Sequence, residues 1–338
     1  MDSVKATVPG KIILFGEHAV VYDKLGIAGA IGKRVTVKAS LSSSPGVRIL
    51  RPLDPKDSVI SRKDLESKLS RFKELYSLKK FDEIKTFSFI DALHVVLAET
   101  LSRTGYADLL VEISFDEPLK NIGRSASKSA GIAFAVSRLL GKNFSLKETA
   151  EIAYLGDVVA HGGTPSGIDT NTVVFGGYVK FRKSEGIQPL ALDARLPLVL
   201  VDSGEPAKTS VTVPAVRRLR EERAEFVDNV LSEIDSVSVN ALRELKAKNL
   251  DALGSLMNQN HALLQKLSVS TPKLDSLCET SLKAGALGAK MTGGGGGGSI
   301  IALARDEGEA ARLQGVFHSN GFKAFIAELG VEGARIED

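Results

Sequence analysis

Residues 293–298 are six consecutive glycines, and no regular element holds such a run comfortably. Glycine loses more backbone freedom than any other residue on entering a helix or strand, so the run is expected to be a loop. Two more glycine-bearing segments stand far from it: Gly10 with Gly16, and Gly123 ahead of a helix that starts near Ser125. A backbone without Cβ lets a ligand come close, and successive N–H groups at a loop or helix start cradle anions. A flexible linker is the plain alternative for a glycine run taken alone. None of the three segments matches G-x-x-x-x-G-K-[ST], and none is a G-x-G-x-x-G set between strand and helix with a downstream acid.

Between the loops, apolar spacing switches between the strand period and the helical one. Residues 4–8 and 12–15, separated by Pro9-Gly10, and then 19–22 predict strand, turn and strand, while 35–41 and 109–115 alternate as half-buried strands. Residues 50–85 are polar, carry Pro52 and Pro55, and read as a mobile insertion over a surface; helical spacing resumes over 87–101. Residues 127–140, rich in small and apolar side chains, and 146–159 predict helices. A Gly/Pro-rich segment at 162–168 leads to a strand pair around Gly176-Gly177, and 197–201 is a buried strand that opens a second lobe. Phe226, Val227, Val230, Leu231 and Ile234 mark an amphipathic helix whose plain role is core packing, and 242–264 continues in helical character. The chain closes with a helix at 273–287, the glycine loop, a strand at 300–304, a helix at 308–320 and a strand at 322–328. The fold class is α+β. A chain of 338 residues is long enough for two domains, each of roughly 150–200 residues with its own core.

Charge narrows the function classes. Lys and Arg total 44 against 41 Asp and Glu, a net of +3 spread along the chain, which leaves no basic footprint for nucleic acid or an anionic membrane surface. Few aromatics among mixed charges give no base-stacking platform. The single cysteine, Cys278, excludes an intramolecular disulfide and a thiolate metal site and points to a reducing, cytoplasmic setting. The first residues lack a basic-then-apolar leader, and no apolar stretch of about 18 residues is present, so export and membrane insertion are not expected. The histidines lack H-x₃-H spacing, which argues against a zinc site.

The order of the loops says more than any one of them. Pro9-Gly10-Lys11-Ile12-Ile13-Leu14-Phe15-Gly16-Glu17-His18-Ala19-Val20-Val21-Tyr22 resembles the first motif of GHMP kinases, in a wording typical of the mevalonate kinases among them. His161-Gly162-Gly163-Thr164-Pro165-Ser166-Gly167-Ile168-Asp169-Thr170, followed by Gly176-Gly177, is similar to that family's aspartate-bearing segment. Gly285-Ala286-Leu287-Gly288-Ala289-Lys290-Met291-Thr292-Gly293 with the glycines after it is similar to the third motif. The similarity covers nearly the whole chain. It implies a two-lobed GHMP kinase fold: residues 1–190 like the second domain of ribosomal protein S5, residues 191–338 ferredoxin-like, with ATP and a small-molecule substrate in the cleft between them.

The resemblance also implies roles. Asp169 is expected to take the proton of the attacking hydroxyl, with Lys11 beside it steadying the carboxylate and the developing phosphoryl charge. Asp157 stands where the family has a magnesium-holding glutamate, and Mg²⁺, which accepts hard oxygen ligands and water, tolerates the shorter acid. Glu17, His18 and Thr209 match substrate-side positions; Gly294 and Gly295 match the nucleotide side. Read singly, each has a plainer alternative: Asp169 as a turn cap, His18 as a satisfied structural histidine, Lys11 as a solvated lysine.

The second motif departs from the family pattern P-x-G-x-G-L-G-S-S-A-A. Pro118-Leu119-Lys120-Asn121-Ile122-Gly123-Arg124-Ser125-Ala126-Ser127-Lys128 lacks two of its glycines and is one residue shorter. Matching Ile122-Gly123 to Leu-Gly puts Ser125 at the magnesium-binding serine, with Ser127 the alternative. The ATP-binding set of this loop is then Lys120, Asn121, Gly123, Arg124, Ser125, Ala126 and Ser127. Lys120, Arg124 and Lys128 add cations, serving either ATP directly or an additional phosphate on the substrate. The implied reaction is ATP- and Mg²⁺-dependent phosphorylation of the C5 hydroxyl of mevalonate, a step of isoprenoid synthesis. The alternatives are a kinase of a phosphorylated mevalonate and a non-catalytic ATP or metabolite sensor. A homodimer is implied, as for many relatives.

Overall fold

The computed structural model describes residues 2–51, 54–115, 122–192 and 195–337. Strand β1 (Ser3–Phe15) runs through Pro9-Gly10 instead of breaking there. Its register against β2 (Gly26–Leu41) slips between Pro9 and Gly10, a bulge that absorbs the missing proline N–H without ending the strand. Residues 19–22, expected as a strand, are one 3-10 turn (Ala19–Tyr22). Val20 and Val21 favour a strand, but left-handed backbone at Gly16, His18 and Asp23 turns the chain too sharply for one.

The first lobe continues with β3 (Val47–Arg51), β4 (Asp54–Ile60), α1 (Arg62–Ser77), α2 (Phe81–Ile84), α3 (Phe89–Thr104), β5 (Leu109–Phe115), α4 (Arg124–Leu139), α5 (Leu146–His161), α6 (Ile168–Phe175), β6 (Tyr178–Arg182) and β7 (Gly186–Leu190). The second lobe holds β8 (Leu198–Asp202), α7 (Thr209–Glu222), α8 (Ala224–Ala247), α9 (Leu250–Lys266), α10 (Pro272–Lys283), β9 (Gly288–Thr292), β10 (Ser299–Leu303), α11 (Glu307–Ser319) and β11 (Ala324–Ala327). Last comes β12 (Arg335–Glu337).

The first sheet is ordered β12-β1-β2-β5-β3-β4, with the β6–β7 hairpin joined to the start of β2. The second is antiparallel in the order β11-β8-β10-β9, the ferredoxin-like arrangement expected. β12 returns the chain to β1, so a division at residue 190 leaves the last strand on the first lobe's sheet. Among the described residues no helix is long and apolar enough to cross a membrane.

Residues 50–85 are not a loose insertion. Ser61 caps α1 by accepting from the Asp64 N–H, and Leu65, Leu69, Phe72 and Leu75 bury one face of that helix against α3. Their near-helical spacing is masked in the sequence by the charged outer face.

β1 feeds both large cores, with Ile13 in a third, smaller one. Val4, Ala6 and Val8 pack with Leu93, Val96, Ala133 and Ile152, whereas Ile12, Leu14 and Phe15 pack with Leu198, Val201, Val230 and Ile301 of the second lobe. Lys11 lies at the changeover between the two cores, where the resemblance puts the cleft.

Candidate active site

Lys11 follows the bulge, and its stem passes so close to the Cα of Gly123 that a Cβ there would come within 2.8 Å of Lys11 Cγ. With φ at +75°, position 123 admits glycine on both counts. Lys11 is 4% exposed, and its Nζ ends 2.6 Å from Asp169 Oδ1, on a side chain still 26% exposed. Asp169 is the second residue of α6, where the helix dipole favours a carboxylate, and left-handed Gly167 caps that helix. Two positions that are 158 residues apart by number (169 − 11) thus share one ion pair open on one side.

Beside this pair lies Asp157, in the last turns of α5 and 1% exposed. The Thr170 hydroxyl donates to its Oδ2, while its Oδ1 is buried without a hydrogen-bond partner among the described residues. Burial pushes the Asp157 carboxyl up to about 6; the Asp169 charge adds to this, and His161 and Lys11 oppose it. Ser125 Oγ, in the first turn of α4, is also buried and unpartnered. The Ser127 hydroxyl, by contrast, lies 2.7 Å from the Pro9 carbonyl oxygen and 3.1 Å from that of Gly123, so it pins α4 to the β1 bulge. Ala126 is buried in the first-lobe core. Lys120 and Asn121 lie outside the described residues.

The second wall is assembled across the lobes. Glu17 and Lys290 form an ion pair with both side chains 0% exposed, and Asn260 Nδ2 donates to the other Glu17 oxygen at 3.3 Å. Thr292 Oγ1 accepts from the Ile13 N–H and donates back to the Ile13 carbonyl. His18 adopts φ 61° and donates from Nε2 to the Gly294 carbonyl at 2.9 Å, which fixes the tautomer because a carbonyl can only accept. Thr212 Oγ1 donates to the same oxygen at 2.7 Å. Thr209 opens α7 and presses on Gly294, where a Cβ would come within 2.2 Å of Thr209 Oγ1. The Gly295 carbonyl accepts from Lys208 N–H, and Gly296 N–H donates to Val269. The glycine run is therefore a pinned loop between β9 and β10, not a linker.

Burial pushes His18 down to about 4, and His94, buried in α3, also to about 4. The unfolded chain protonates both imidazoles below about pH 6.5, and the folded chain only near pH 4, so folding stability is expected to fall as pH drops through that window. Asp157 acts with the opposite sign, since the folded state holds its proton up to about pH 6. Two histidines outweigh one carboxylate. Urea unfolding at pH 7.0, 5.5 and 4.5 is expected to show decreasing midpoints, with a shallower decrease in His94→Gln.

Residues 241–323 match the family model described as GHMP kinases C terminal. A mevalonate kinase of Thermococcus gammatolerans is 33% identical over 341 residues, covering 99% of this chain and 98% of that protein. The chain belongs to the GHMP kinases, in the mevalonate kinase family. A second mevalonate kinase, of Pyrococcus abyssi, is 34% identical over 343 residues, with 99% of this chain and 98% of that protein covered. The crystal structure of the L. major mevalonate kinase in complex with R-mevalonate superposes with a TM-score of 0.75 at 27% identity, covering 93% of this chain and 91% of that one.

The start of α4 carries two cations, Arg124 and Lys128. Arg124 stacks its guanidinium 4.0 Å from the centroid of the Phe115 ring, and Lys128 holds Nζ 4.5 Å over Phe89 and 5.4 Å from Phe115. Burial, with the charges of Arg124 and Arg51 adding, pushes Lys128 down to about 8. Residues 124 and 128 are one helical turn apart, about 100° and 60° around the helix from Ser125 and on the same side of it. Sequence reading missed Lys290, Thr292 and Thr170 as members of the site's framework, because each acquires its role only from a partner on another element.

Proposed function

We propose that the protein transfers the γ-phosphoryl group of ATP to the C5 hydroxyl of mevalonate, giving mevalonate 5-phosphate and ADP. The observation that carries this reading is the Lys11–Asp169 pair, buried on one side and open on the other. Asp169 Oδ2 is left to accept the hydroxyl proton as the oxygen attacks the γ-phosphorus, and the Lys11 ammonium keeps the carboxylate ionised and oriented. Lys11 also offers positive charge to the equatorial phosphoryl oxygens as charge develops on them. His18, neutral at pH 7, and Thr209 line the acceptor's side through their contacts with Gly294.

The nucleotide's phosphates would lie at the N-terminus of α4, where the first-turn N–H groups and the helix dipole attract anions. Arg124 and Lys128 would supply charge there in place of the glycines this loop lacks. Asp157 Oδ1 and Ser125 Oγ, each buried and without a hydrogen-bond partner among the described residues, are hard oxygens of the kind Mg²⁺ takes. Bound there with its waters, Mg²⁺ would supply charge neutralisation between the β- and γ-phosphates. The free, buried thiol of Cys278 supports a reducing, cytoplasmic setting.

The cation cluster favours one second reading, a kinase for an acceptor that already carries a phosphate. The test is ADP release with Mg²⁺-ATP and, separately, mevalonate, mevalonate 3-phosphate, mevalonate 5-phosphate or no acceptor. Turnover is expected with mevalonate. Arg124→Gln is expected to raise the KM for ATP by about tenfold or more, because charge-assisted contacts are lost, and the gap should narrow at high salt. Turnover confined to a phosphorylated acceptor, with Arg124→Gln acting on that acceptor's KM, would replace the first reading by the second. Silence with every acceptor would remove both.

A further inference from the structure

The segment 162–167, which delivers Asp169 to the cleft, has few bonds of its own. Ile168 N–H donates to Ser166 Oγ at 3.3 Å, and the Asn171 side chain donates to the Gly167 carbonyl at 2.8 Å. At its start the Gly162 and Gly163 N–H groups donate to the Val159 and Val158 carbonyls of α5, but the Ser166 and Asn171 bonds stay within the segment and α6 and do not tie residues 164–167 to the rest of the lobe. Tyr154 does. Its hydroxyl, projected from α5, donates to the Pro165 carbonyl at 3.0 Å, and its ring lies where a Cβ on Gly167 would meet it at 3.6 Å. Tyr76 of α1 lies beside Tyr154 against the first-lobe core, and its proximity adds to the burial that pushes the Tyr154 phenol up. Tyr76 is held in turn by ring contacts with Phe72, 5.8 Å between centroids, and Phe81, 6.4 Å. At the other end of the segment, Gly162 is covered by the Lys85 stem, close enough that a Cβ would come within 2.3 Å of Lys85 Cγ.

We infer that Tyr154 is a positioning residue for the phosphoryl transfer: its hydroxyl ties α5 to the Pro165–Gly167 turn and so fixes where Asp169 meets the acceptor hydroxyl. This rests on the reading of Asp169 as the proton acceptor. Tyr154 does not touch the reacting atoms; it acts through the backbone two to four residues before Asp169. A small displacement of a general base costs rate and leaves ground-state binding nearly unchanged.

The experiment compares wild type and Tyr154→Phe in the mevalonate assay, with thermal melting and hydrogen exchange of the 162–169 amides measured in parallel. Phenylalanine keeps the ring and its packing and removes only the hydroxyl. Tyr154→Phe is expected to lower kcat about five- to tenfold, the size of one lost hydrogen bond acting on orientation, with KM for ATP and mevalonate within about twofold. Exchange at 162–169 should quicken while that of α5 stays unchanged. Unchanged kcat in Tyr154→Phe overturns the inference, as does a loss of rate matched by earlier melting and faster exchange throughout α5. Asp169→Asn, run alongside, separates this outcome from failure of the underlying reading: if Asp169→Asn remains active, it is the assignment of Asp169 that has failed.

Discussion

Asp169→Asn is expected to lower kcat by on the order of 10²–10⁴, the usual contribution of a positioned general base, while the KM values for ATP and mevalonate stay within about threefold. Asparagine has nearly the same shape, and its carbonyl oxygen can still accept from Lys11, whose Nζ now sits 2.6 Å from Asp169 Oδ1. The pair should therefore keep its geometry. What disappears is the ionised oxygen able to take a proton and the charge that balances Lys11. Single-turnover measurement of phosphoryl transfer isolates this step from product release. A fall confined to kcat fits a role exercised in the transition state. A variant within a few-fold of wild type would mean that the hydroxyl loses its proton elsewhere and that the pair is structural.

The second large effect concerns stability. Glu17 and Lys290 meet across the two lobes with no solvent exposure on either side chain, and burial alone pushes the Lys290 ammonium down from its ordinary value. Removing one member leaves the other dehydrated and unbalanced, which typically costs about 3–5 kcal/mol. Glu17→Gln and Lys290→Met are each expected to lower the urea midpoint strongly. The double variant should recover much of the loss, since a buried pair replaced as a unit by neutral groups is often close to neutral. Urea unfolding of the four proteins at pH 7 gives the coupling directly. Additive losses in the double variant would show that the two side chains do not act as a pair. The single variants should also lose activity, because Glu17 immediately precedes His18, whose left-handed backbone is maintained only by its surroundings.

Much of the fold could be read from pattern. The strands at 109–115 and 197–201, the helices at 127–140 and 226–234, and the closing strand and helices were visible because one face of each is apolar at the period of its own geometry. The misread segments fail for identifiable reasons. In α1 the apolar stripe is one residue in four among charges, so mean polarity hid it. In the turn at 19–22 the residue types favour a strand, and the neighbouring positive φ angles override them. Strand β9 was hidden by its small residues and its lysine, whose charge is tolerable there only because Glu17 arrives from the other lobe.

The same division runs through the candidate site. Residue type, spacing and motif order single out Lys11, Asp157, Asp169 and the glycine loop, because a phosphate cradle and a general base are requirements that particular side chains, or their absence, meet locally. The choice between Ser125 and Ser127 was open in the sequence. Helix phase against β1 separates them: Ser127 is turned onto the Pro9 carbonyl, while Ser125 is left with a buried, unpartnered oxygen. Glu17 matched a position facing substrate, yet it is sealed against Lys290, 273 residues away. Partnerships of that kind are encoded in no local segment. They arise when β1 is shared between two cores, since only packing of the lobes sets which buried polar groups meet and which remain for a ligand.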